Sequence, residues 1–494
     1  MTSPATSPTT GPATSPTASL WTVDAMCAAM NARAEGPLPV AVSGLSIDTR
    51  TVGLGEAFFA IQGDSRDGHD FVEAALQAGA GLAVVAADRR DRLPKDAPLL
   101  VVADVLDALR DLARAARARS DAKFIGVTGS VGKTGTKEAL RLALSREGET
   151  HASVASYNNH WGVPLSLARC PQSAKYAVLE MGMNHAGEID PLSRLVRPHV
   201  AVITNVEPVH LEFFGTLEAI ADAKAEIFSG LEPGGAVVIN RDNGQYERLR
   251  ASAKAAGVQR IVTFGEHAEA DARLTKCVLR PDGSTVQACI LDHDVTYKIA
   301  APGRHVVMNS LAVLAAASLA GADLALMAMA LADFKPVDGR GARVTLAVPG
   351  GTALLIDESY NANPASMRAA LSVLGQAPVG LHGRRIAVLG DMLELGPQGA
   401  ALHAALAEPV DAQEIDLVFC SGPLMRSLFE ALPSGRRGGY AESAAALEPL
   451  VVSAMRAGDA VMIKGSLGSR MGPIAKALQK HYPQQAAADE PVEG

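Results

Sequence analysis

Short apolar runs alternate with longer amphipathic stretches in the middle of this chain. The stretches between the runs have helical periodicity, and parallel strands need a crossover connection that is usually a helix. The pattern therefore predicts βα units in a mostly parallel sheet. The predicted strands are FIGVTGS (124–130), YAVLEMG (176–182), HVAVITNV (199–206) and GAVVIN (235–240), and the first leads into a helix at 133–145.

The same alternation returns nearer the C-terminus, where it indicates a second, doubly wound α/β unit. Its predicted strands are TALLIDES (352–359), RIAVLGDM (385–392), DLVFCSG (416–422) and AVMIKGS (460–466), with helices at 364–375 and 400–408. The N-terminal part combines the strand-like segments 41–50, 56–63 and 81–88 with helices at 71–80 and 105–120. We therefore expect a smaller α/β unit there.

These patterns predict an α/β protein of three domains, which is also the number that a length of 494 residues favours at roughly 150 residues per domain. The predicted domains are 20–120, 121–335 and 336–485. A Ser-, Thr- and Pro-rich stretch at 1–19 predicts a disordered tail, and an acidic stretch at 486–494 predicts a frayed one.

Charge and composition disfavour some classes of function and of cellular location. A net charge of −8 disfavours a nucleic-acid partner, which would require a basic face. The five cysteines show no metal-binding or disulfide spacing, and we interpret them as reduced thiols. Neither a signal peptide nor an apolar run long enough to span a membrane is present, so we expect a cytoplasmic enzyme without a membrane span. We also expect a monomer.

The strongest single motif is the glycine-rich string GVTGSVGKTG, Gly126–Gly135, between a predicted strand and a predicted helix. Backbone N–H groups of such a turn, together with the helix N-terminus, bind phosphate. Lys133 would neutralise phosphate oxygens, and Thr134 would ligate Mg²⁺. The spacing has five residues between Gly126 and Gly132 rather than the usual four. The alternative is a glycine turn with a solvated lysine.

Two further residues lie at or after the end of a buried-type strand. Glu180 ends one strand and His210 follows another, so both should lie at the carboxyl edge of the sheet, where ligands bind in open α/β folds. Structural roles compete: Glu180 would cap a turn, and His210 would be a hydrogen-bonded loop residue. From the residues alone, Lys224 is a solvated helical lysine between Asp222 and Glu226.

Several strings in order along the chain resemble the Mur ligase family. They are IDTR, DGHDF, TGSVGKT, NNHWGVPLSL, LEMGMNHAGEI, TNVEPVHLEFFG, AKAEIF, DESYNANPASM, LGDMLELG and KGSLGSRM. The resemblance implies an N-terminal substrate-binding α/β domain, a central P-loop ATPase domain and a C-terminal Rossmann-like domain. It also implies a ligase that uses ATP and Mg²⁺ to activate a peptide carboxylate as an acyl phosphate. YNANP and LGDMLELG favour the branch that adds D-alanyl-D-alanine to UDP-N-acetylmuramoyl-tripeptide.

The resemblance also implies the roles of individual residues. The catalytic set is Lys133, Glu180, His210 and Lys224, and the metal ligands are Thr134, Glu180, His210 and Lys224 as a carbamate. The ATP site comprises Thr128, Gly129, Ser130, Val131, Gly132, Lys133, Thr134, Gly135, Asn309, Arg340, Asp357 and Asn361. The substrate site comprises Asp48, Thr49, Arg50, Asp67, Gly68, His69, Asn158 and Asn159.

Three alternatives stay open at the level of sequence. A sister ligase that adds a diamino acid would be expected to carry a D-N-P-R string in its third domain, and this chain has none. A plain P-loop ATPase would release phosphate without forming an amide. A non-catalytic nucleotide-binding scaffold would tolerate the loss of Lys133 or Glu180.

Overall fold

The structure is a computed structural model that describes residues 19–63, 66–154 and 156–484. Apart from Ser19, the two predicted tails lie outside these residues. Contacts divide the chain into two compact units. The first contains the residues up to Ser120 together with Pro164–Gln172, and the second contains Asp121–Val163 and the residues from Ser173 onward. No helix in the described ranges is long and apolar enough to cross a membrane.

The first unit is a small α/β sandwich. Its elements are β1 (Trp21–Thr22), α1 (Val23–Met30), β2 (Arg33–Glu35), β3 (Ala41–Val42), β4 (Leu45–Ser46), β5 (Ala57–Phe59), α2 (Val72–Gln77), β6 (Leu82–Ala86), β7 (Leu99–Val102) and α3 (Val105–Ala118), with 3-10 helices at Gly68–Phe71 and Ala87–Arg92. Five strands form a sheet in the order β2-β7-β6-β5-β4, parallel except at β2. The Asp104 side chain caps α3 by accepting from the Asp107 N–H at 2.7 Å.

The central part of the chain contains nine strands. Its elements are β8 (Lys123–Thr128), α4 (Lys133–Leu144), β9 (Thr150–Ala152), α5 (Gly162–Ala168), β10 (Tyr176–Glu180), α6 (Ile189–Val196), β11 (Val200–Ile203), α7 (Leu211–Phe214), α8 (Leu217–Ala225), β12 (Ala236–Asn240), α9 (Tyr246–Ala255), β13 (Arg260–Gly265), β14 (Ala272–Arg280), β15 (Gly283–Ile290), β16 (His293–Ile299), α10 (Arg304–Leu319) and α11 (Leu324–Ala330), with 3-10 helices at Glu226–Gly230 and Leu331–Asp333.

These strands form one sheet in the order β16-β15-β14-β13-β12-β11-β8-β10-β9. The pairs from β9 to β14 are parallel, which confirms the prediction from βα alternation, and β14–β16 form an antiparallel meander. Helix α10 is apolar over most of its surface, and Val307 and Leu311–Ala317 are fully buried. A helix apolar on nearly all sides must be enclosed, and α10 packs against α4 and the sheet.

Helix α5 belongs to the first unit from Pro164 to its end at Ala168. The indole N–H of Trp21 donates to the Ala168 carbonyl at 2.9 Å, and the Arg169 guanidinium donates to the Leu45 carbonyl at 2.8 Å. The division by contacts therefore does not follow the chain order here, and the three domain boundaries given above stay a prediction.

The C-terminal part is a second α/β layer structure. Its elements are β17 (Ala342–Val348), β18 (Gly351–Glu358), α12 (Pro364–Gly375), β19 (Arg385–Gly390), α13 (Gly399–Ala404), α14 (Ala407–Ala412), β20 (Leu417–Ser421), α15 (Arg426–Ala431), β21 (Arg437–Ala441), α16 (Ala444–Ala454), β22 (Ala460–Lys464) and α17 (Gly472–His481), with 3-10 helices at Gly396–Gln398, Ser434–Arg436 and Leu467–Ser469. The sheet order is β17-β18-β22-β19-β20-β21, parallel except for β17.

Two separate apolar clusters cover the two faces of this sheet. One cluster contains Met367 and Leu371 of α12, and the other contains Leu447 of α16 and Ile474 of α17. A parallel sheet buried on both faces is the doubly wound arrangement that the sequence predicts, and the α/β fold class is confirmed.

Candidate active site

Three neighbouring strands end together at the edge of the central sheet. Glu180 at the end of β10 pairs with Val127 of β8, and Ile203 at the end of β11 pairs with Thr128. The segments that follow β8, β10 and β11 are therefore adjacent. The glycine-rich string follows β8, so the sequence folds it into the position that the predicted phosphate site requires.

The glycine-rich loop has a backbone that only glycine tolerates well. Gly129 has φ +147°, and a Cβ at this position would lie 2.0 Å from Thr204 Oγ1. Gly132 has φ +86° and precedes the first residue of α4. Lys133 Nζ folds back and donates to the Gly129 carbonyl at 2.7 Å. The loop and the N-terminus of α4 thus form a concave set of backbone N–H groups suited to phosphate.

Residues after β11 brace this loop. Thr204 Oγ1 donates to the Val131 carbonyl at 2.5 Å, and Ser130 Oγ donates to the Glu207 carbonyl at 3.0 Å. In return the Glu207 N–H donates to Ser130 Oγ at 2.9 Å. Thr204 and Glu207 were not among the predicted site residues. Their position after a buried strand, in TNVEPVH, was the available signal.

Glu180 is the centre of a hydrogen-bond cluster. It is 1% exposed, and its Oε2 accepts from Thr134 Oγ1 at 2.8 Å while Oε1 accepts from Asn158 Nδ2 at 2.7 Å. The Glu180 backbone N–H donates to Ser153 Oγ at 3.2 Å. The structure thus brings together Thr134, Glu180 and Asn158 as predicted, and it places two hard oxygen donors beside the phosphate loop.

The neighbouring Asn159 has a local structural role. Its Oδ1 accepts from the Trp161 N–H at 3.2 Å and from the Gly162 N–H at 2.9 Å, where α5 begins. This geometry is that of a residue capping the start of a helix.

Two cations, Lys133 and Arg340, are close enough for their charges to interact, and the Glu180 carboxylate lies beside them. Burial lowers the pKa of Lys133, Glu180 raises it and Arg340 lowers it, with a net decrease. A phosphate group would relieve this repulsion, since an anion at this point favours the charged form of each cation.

Lys224 is buried and lacks an acidic partner. Its side chain is 2% exposed, and its Nζ lies 3.9 Å from Met183 Sδ. Within the described residues, no carboxylate pairs with it: Asp222 binds Arg248, and Glu226 accepts from backbone N–H groups that include Ile189. Burial, followed by repulsion from Lys133, lowers the Lys224 pKa far below its ordinary value. The solvated lysine expected from residue type alone is therefore wrong.

His210 connects the central and C-terminal parts of the second unit. It has a left-handed backbone with φ +56°, and its Nδ1 makes a short hydrogen bond with Glu394 Oε2 in the string LGDMLELG. The Glu212 N–H also donates to the Glu394 carbonyl at 3.2 Å. Burial lowers the His210 pKa, Glu394 raises it, and Lys133 and Lys224 lower it, so the net change is a decrease.

The C-terminal part adds positive charge to the same site. The Arg340 guanidinium stacks on the Tyr360 ring, 4.0 Å from its centroid, and donates to Ser156 Oγ at 3.3 Å. Lys464, at the end of β22, donates to the Asn361 carbonyl at 2.9 Å and pairs with a neighbouring carboxylate. Arg340 precedes β17 and Lys464 ends β22, so both cations come from the sheet of the C-terminal part.

The other predicted nucleotide-binding residues differ in whether their side chains make local hydrogen bonds or face the phosphate loop. Asp357 Oδ1 accepts from the Ser359 N–H at 3.0 Å, and Asn361 Oδ1 accepts from the Ala362 N–H at 2.8 Å. The Asn309 amide lies against Gly132, where an added Cβ would be 2.7 Å from Asn309 Nδ2. Only the last of these faces the phosphate loop directly.

Most of these residues line a cavity of about 700 Å³. Of the predicted residues, its lining includes Ser130, Val131, Gly132, Lys133, Gly135, Asn158, Glu180, His210, Asn309, Arg340 and Asn361. Thr128, Gly129, Thr134, Asn159, Lys224 and Asp357 lie outside the lining. The lining also contains Ser156, Thr204, Glu207, His305 and Lys464. Of these, Thr204 and Glu207 lie in the string TNVEPVHLEFFG, and Lys464 begins the string KGSLGSRM.

Histidine, cysteine and acidic side chains alone do not form a metal site here. No group of three or more such residues in the described ranges is placed to hold a metal ion. The residues that could hold Mg²⁺ therefore include the Thr134 hydroxyl and the Glu180 carboxylate, with further oxygens from a bound nucleotide, a donor set that suits a hard cation.

The predicted sugar-nucleotide residues lie in two loops of the first unit. In the loop after β4, Arg50 is largely exposed and pairs with Asp48, with Nη2 2.5 Å from Oδ2. Thr49 lies between them and is partly buried. The hydrogen bond from Arg50 lowers the Asp48 pKa, against a smaller effect of burial. The exposed guanidinium is accessible to an anionic ligand.

The second loop has a fixed internal structure. His69 Nδ1 donates to Asp67 Oδ1 at 2.6 Å, and His69 Nε2 accepts from the Ala86 N–H at 2.9 Å. Burial raises the Asp67 pKa, but hydrogen bonds from His69 and Arg89 lower it, and the net change is a decrease. A Cβ at Gly68 would lie 2.6 Å from the Ile61 carbonyl oxygen. Both ring nitrogens of His69 are therefore engaged within the unit.

Family models and individual relatives match this chain over most of its length. The Mur ligase middle domain matches residues 127–317, the Mur ligase glutamate ligase domain matches 340–467, and the Mur ligase family catalytic domain matches 41–117. The UDP-N-acetylmuramoyl-tripeptide–D-alanyl-D-alanine ligase of Escherichia coli is 34% identical over 444 residues, which cover 90% of this chain and 95% of that protein.

Solved structures agree with the sequence matches. MurF from Acinetobacter baumannii superposes with a TM-score of 0.79 at 30% identity, covering 93% of this chain and 99% of that one. MurF ligase from Thermotoga maritima in complex with ADP has a TM-score of 0.72 at 26% identity, covering 89% and 97% of the two chains. Because the matches extend over all three sheets and nearly the full length of each relative, this chain belongs to the Mur ligase family.

Proposed function

We propose that this chain is an ATP-dependent ligase that joins D-alanyl-D-alanine to UDP-N-acetylmuramoyl-tripeptide, giving the UDP-N-acetylmuramoyl-pentapeptide, ADP and phosphate. Full-length relatives that carry the name of this ligase support the substrate pair. The family to which the chain belongs and the ADP complex of a structural relative support ATP as the nucleotide.

One observation carries the proposal. Glu180 and Asn158 of the Thr134–Glu180–Asn158 cluster line the same cavity as the phosphate loop and the cations Lys133 and Arg340. Transfer of the γ-phosphoryl group to a carboxylate brings two anions together, and it requires cations that screen their repulsion and hold the line of attack. A nucleotide-binding scaffold has no need for this arrangement.

The reaction has two balanced steps. An oxygen of the tripeptide's terminal carboxylate attacks the γ-phosphorus of ATP, the bond to the β-bridging oxygen breaks, and ADP leaves. The free amine of D-alanyl-D-alanine then attacks the acyl carbon, the bond from this carbon to the phosphate oxygen breaks, and the nitrogen loses a proton as phosphate leaves and the amide bond forms. Lys133 and the loop N–H groups would bind the β- and γ-phosphates, and Arg340 would approach them from the C-terminal part. Water would be kept from the acyl phosphate by the enclosure of the cavity.

The residues present fit a Mg²⁺ site. Thr134 Oγ1 and Glu180 Oε2 lie 2.8 Å apart beside the phosphate loop, and both are hard oxygen donors. We assign these two residues, with His210, to the metal sites. Bound Mg²⁺ would neutralise the phosphate oxygens of ATP.

Lys224 would complete these sites as a carbamate. Its burial favours the neutral amine, whose lone pair can attack CO₂; loss of a proton then leaves an anionic carbamate with two hard oxygens. An unpaired ammonium would be costly at this buried position, whereas a carbamate would face Lys133 and a divalent cation. Addition of ¹³CO₂ should give a carbamate carbon resonance that is absent in Lys224→Ala. Its absence in the wild-type protein would rule out the modification.

The remaining predicted residues would bind the substrates. Arg50 would bind the diphosphate of the uridine nucleotide, with Asp48, Thr49, Asp67, Gly68 and His69 shaping the two loops around it. Asn158 would hold Glu180 and approach the activated carboxylate, and Asn309, Asp357 and Asn361 would bind the nucleotide. We place the reaction in the cytoplasm, where ATP is available, and we expect a monomer.

The test is product analysis. The protein is incubated with UDP-N-acetylmuramoyl-tripeptide whose terminal carboxylate is labelled with ¹⁸O, together with ATP, Mg²⁺ and D-alanyl-D-alanine. The proposal expects a pentapeptide product and one labelled phosphate per amide bond. Product that forms only with a single diamino acid would assign the chain to the sister ligase, and phosphate release without product would make it a plain ATPase.

Lys133→Ala separates catalysis from folding in the same assay. The variant should keep the wild-type circular dichroism spectrum and lose ligation. A variant that still ligates at a near wild-type rate would overturn the assignment of the phosphate loop.

A further inference from the structure

A fully buried lysine lies one turn after the phosphate loop. Lys137 belongs to α4, and none of its side chain is exposed. Its Nζ donates to the Ser153 carbonyl at 2.7 Å and forms an ion pair with Glu138 Oε1 at 2.8 Å. A buried ammonium is costly unless it is paired and hydrogen-bonded, so both contacts are needed wherever α4 is folded. No step of the proposed reaction uses this lysine.

Ser153 connects Lys137 to Glu180. The parallel ladder between β9 and β10 ends at Val178. Beyond it the Ser153 N–H donates to the Val178 carbonyl at 3.2 Å, and Ser153 Oγ accepts from the Glu180 N–H at 3.2 Å. On this side a side chain takes the place of the regular ladder, whereas on the other side the ladder to β8 continues as far as Glu180. The position of Ser153 therefore determines how well the end of β10 is fixed.

Helix α4 reaches Glu180 by two routes. Thr134 Oγ1 binds the carboxylate directly at 2.8 Å, and Lys137, three residues later on the same helix face, acts through Ser153. Strand β9 is three residues long and lies at the end of the strand order, so it is paired on one side only. The buried contact with Lys137 thus attaches the segment after β9 to the helix that carries the phosphate loop.

We propose that Lys137 is a positioning residue of the ligase, which orients Glu180 for metal binding through Ser153. The ammonium holds the Ser153 carbonyl, the Ser153 hydroxyl holds the Glu180 N–H, and the carboxylate stays beside Thr134 and the phosphate loop. A group that orients a metal ligand without touching the metal affects metal affinity or activity about 10- to 100-fold. The inference rests on the proposed function and deepens it, because it concerns a residue that we assign to Mg²⁺.

The first experiment removes the ammonium and keeps the apolar stem. In Lys137→Met, calorimetry measures the affinity for ADP without metal and the affinity of the ADP complex for Mn²⁺, which takes the same oxygen ligands as Mg²⁺. The Mn²⁺ dissociation constant should rise about tenfold or more, and the ligation rate at saturating substrates should fall by a similar factor. The affinity for ADP without metal should keep its wild-type value, because the loop that binds phosphate is unchanged.

Leu144→Ala is the matched control. Leu144 is fully buried at the end of α4 and lies outside the cavity lining. The substitution leaves a cavity that should lower the thermal midpoint, but both affinities and the ligation rate should stay at the wild-type values at a temperature where every variant is folded. If Lys137→Met weakens metal-free ADP binding as much as Mn²⁺ binding, or if Leu144→Ala reproduces the selective loss, the lysine only stabilises α4 and the proposal is overturned.

The second experiment tests the route through Ser153. Ser153→Ala removes the hydroxyl that accepts from the Glu180 N–H and leaves the carbonyl that binds Lys137. The Mn²⁺ dissociation constant should rise about fivefold, the factor that corresponds to one hydrogen bond. The double variant should lose little more than Lys137→Met alone, because both changes act on the same support of Glu180. Losses that multiply independently would overturn the route.

Two further comparisons keep the outcome decisive. Where Lys137→Met does not fold, Ser153→Ala decides: an unchanged Mn²⁺ affinity overturns the proposal, and a raised dissociation constant supports it. If the wild-type protein forms no amide with D-alanyl-D-alanine, the proposed function fails, and the Mn²⁺ affinities still test the route. If the wild type ligates but both variants bind Mn²⁺ as the wild type does, the function stands and the positioning role alone is wrong.

Discussion

The hydroxyl of Thr134, at the start of α4, donates to the Glu180 carboxylate at the end of β10 over 2.8 Å. Asn158 occupies the other carboxylate oxygen at 2.7 Å. The two donors fix the orientation of this buried carboxylate, which lies next to the loop that we assign to ATP. The contact joins the phosphate-binding and metal-binding parts of the proposed site.

Glu180→Gln should therefore lose activity while it keeps the fold. The amide has nearly the same shape but supplies neither a negative charge nor a second acceptor, so we expect the ligation rate to fall at least about 100-fold. The rate is measured by phosphate release and product formation at saturating Mg²⁺. Glu247→Gln, on the exposed face of α9, is the control and should keep the wild-type rate. A Glu180→Gln enzyme with near-normal activity would exclude the assigned metal role.

Gly129→Ala should damage both the loop and the stability of the protein. The added Cβ would meet Thr204 Oγ1 at 2.0 Å, and the backbone has φ +147°. We expect a loss of about 1–3 kcal/mol in the free energy of unfolding, together with weaker ADP binding by calorimetry.

Gly135→Ala provides the comparison for Gly129→Ala. Gly135 lies in α4, and a Cβ there has no protein atom within 4 Å. Its thermal midpoint should equal or exceed that of the wild type, because alanine favours a helix over glycine. Equal destabilisation of the two variants would contradict the strain argument at Gly129.

The sequence predicted the parallel strands and the edge of the sheet on which the site lies, because apolar runs and glycine turns are local signals. It did not predict the antiparallel meander β14–β16, where polar and apolar residues alternate on a partly exposed edge. It also did not predict that Pro164–Gln172 would join the first unit. That outcome depends on contacts such as Trp21 to Ala168, which are far apart in sequence.

The candidate site shows the same limit. Glu180 and the glycine loop were identifiable because Glu180 ends a buried strand and the loop follows another. The burial of Lys224 could not be predicted from the sequence, because Asp222 and Glu226 beside it looked like ion-pair partners. In the structure these two carboxylates bind other groups. The contact of His210 with Glu394 joins residues 184 positions apart, and no local pattern encodes such a pair.

His403 makes the stability of the protein depend on pH. Burial lowers its pKa, against smaller opposing effects of the Gly399 carbonyl and Asp391. Its Nε2 accepts from the Met392 N–H at 2.9 Å, which requires the neutral ring. A folded-state pKa below the unfolded value gives stability that is present above about pH 6.5 and is lost as the pH falls through the folded-state pKa.

The comparison of His403 with His403→Gln tests this linkage. The wild-type protein should exceed the variant in thermal midpoint at pH 7.5, and the difference should shrink at pH 5.5, because protonation of the unfolded ring then favours unfolding. Thermal melts at several pH values measure the difference. A constant difference over this range would show that His403 does not titrate between the two states.

Tyr360→Leu should weaken the contribution of Arg340. The Arg340 guanidinium lies 4.0 Å from the centroid of the Tyr360 ring, so the ring fixes a cation that we assign to ATP. Loss of a cation–π contact of this kind should lower kcat/KM for ATP about 3- to 30-fold. Tyr440→Leu removes an equivalent contact with Arg426 outside the cavity lining, where the guanidinium lies 5.1 Å from the ring centroid, and it should leave ATP kinetics unchanged. Both substitutions delete a tyrosine beside an arginine in the C-terminal part. A fall in kcat/KM for ATP in Tyr360→Leu alone would therefore be due to the position of Arg340. Equal effects of the two variants would refute the contribution of Arg340 to the ATP site.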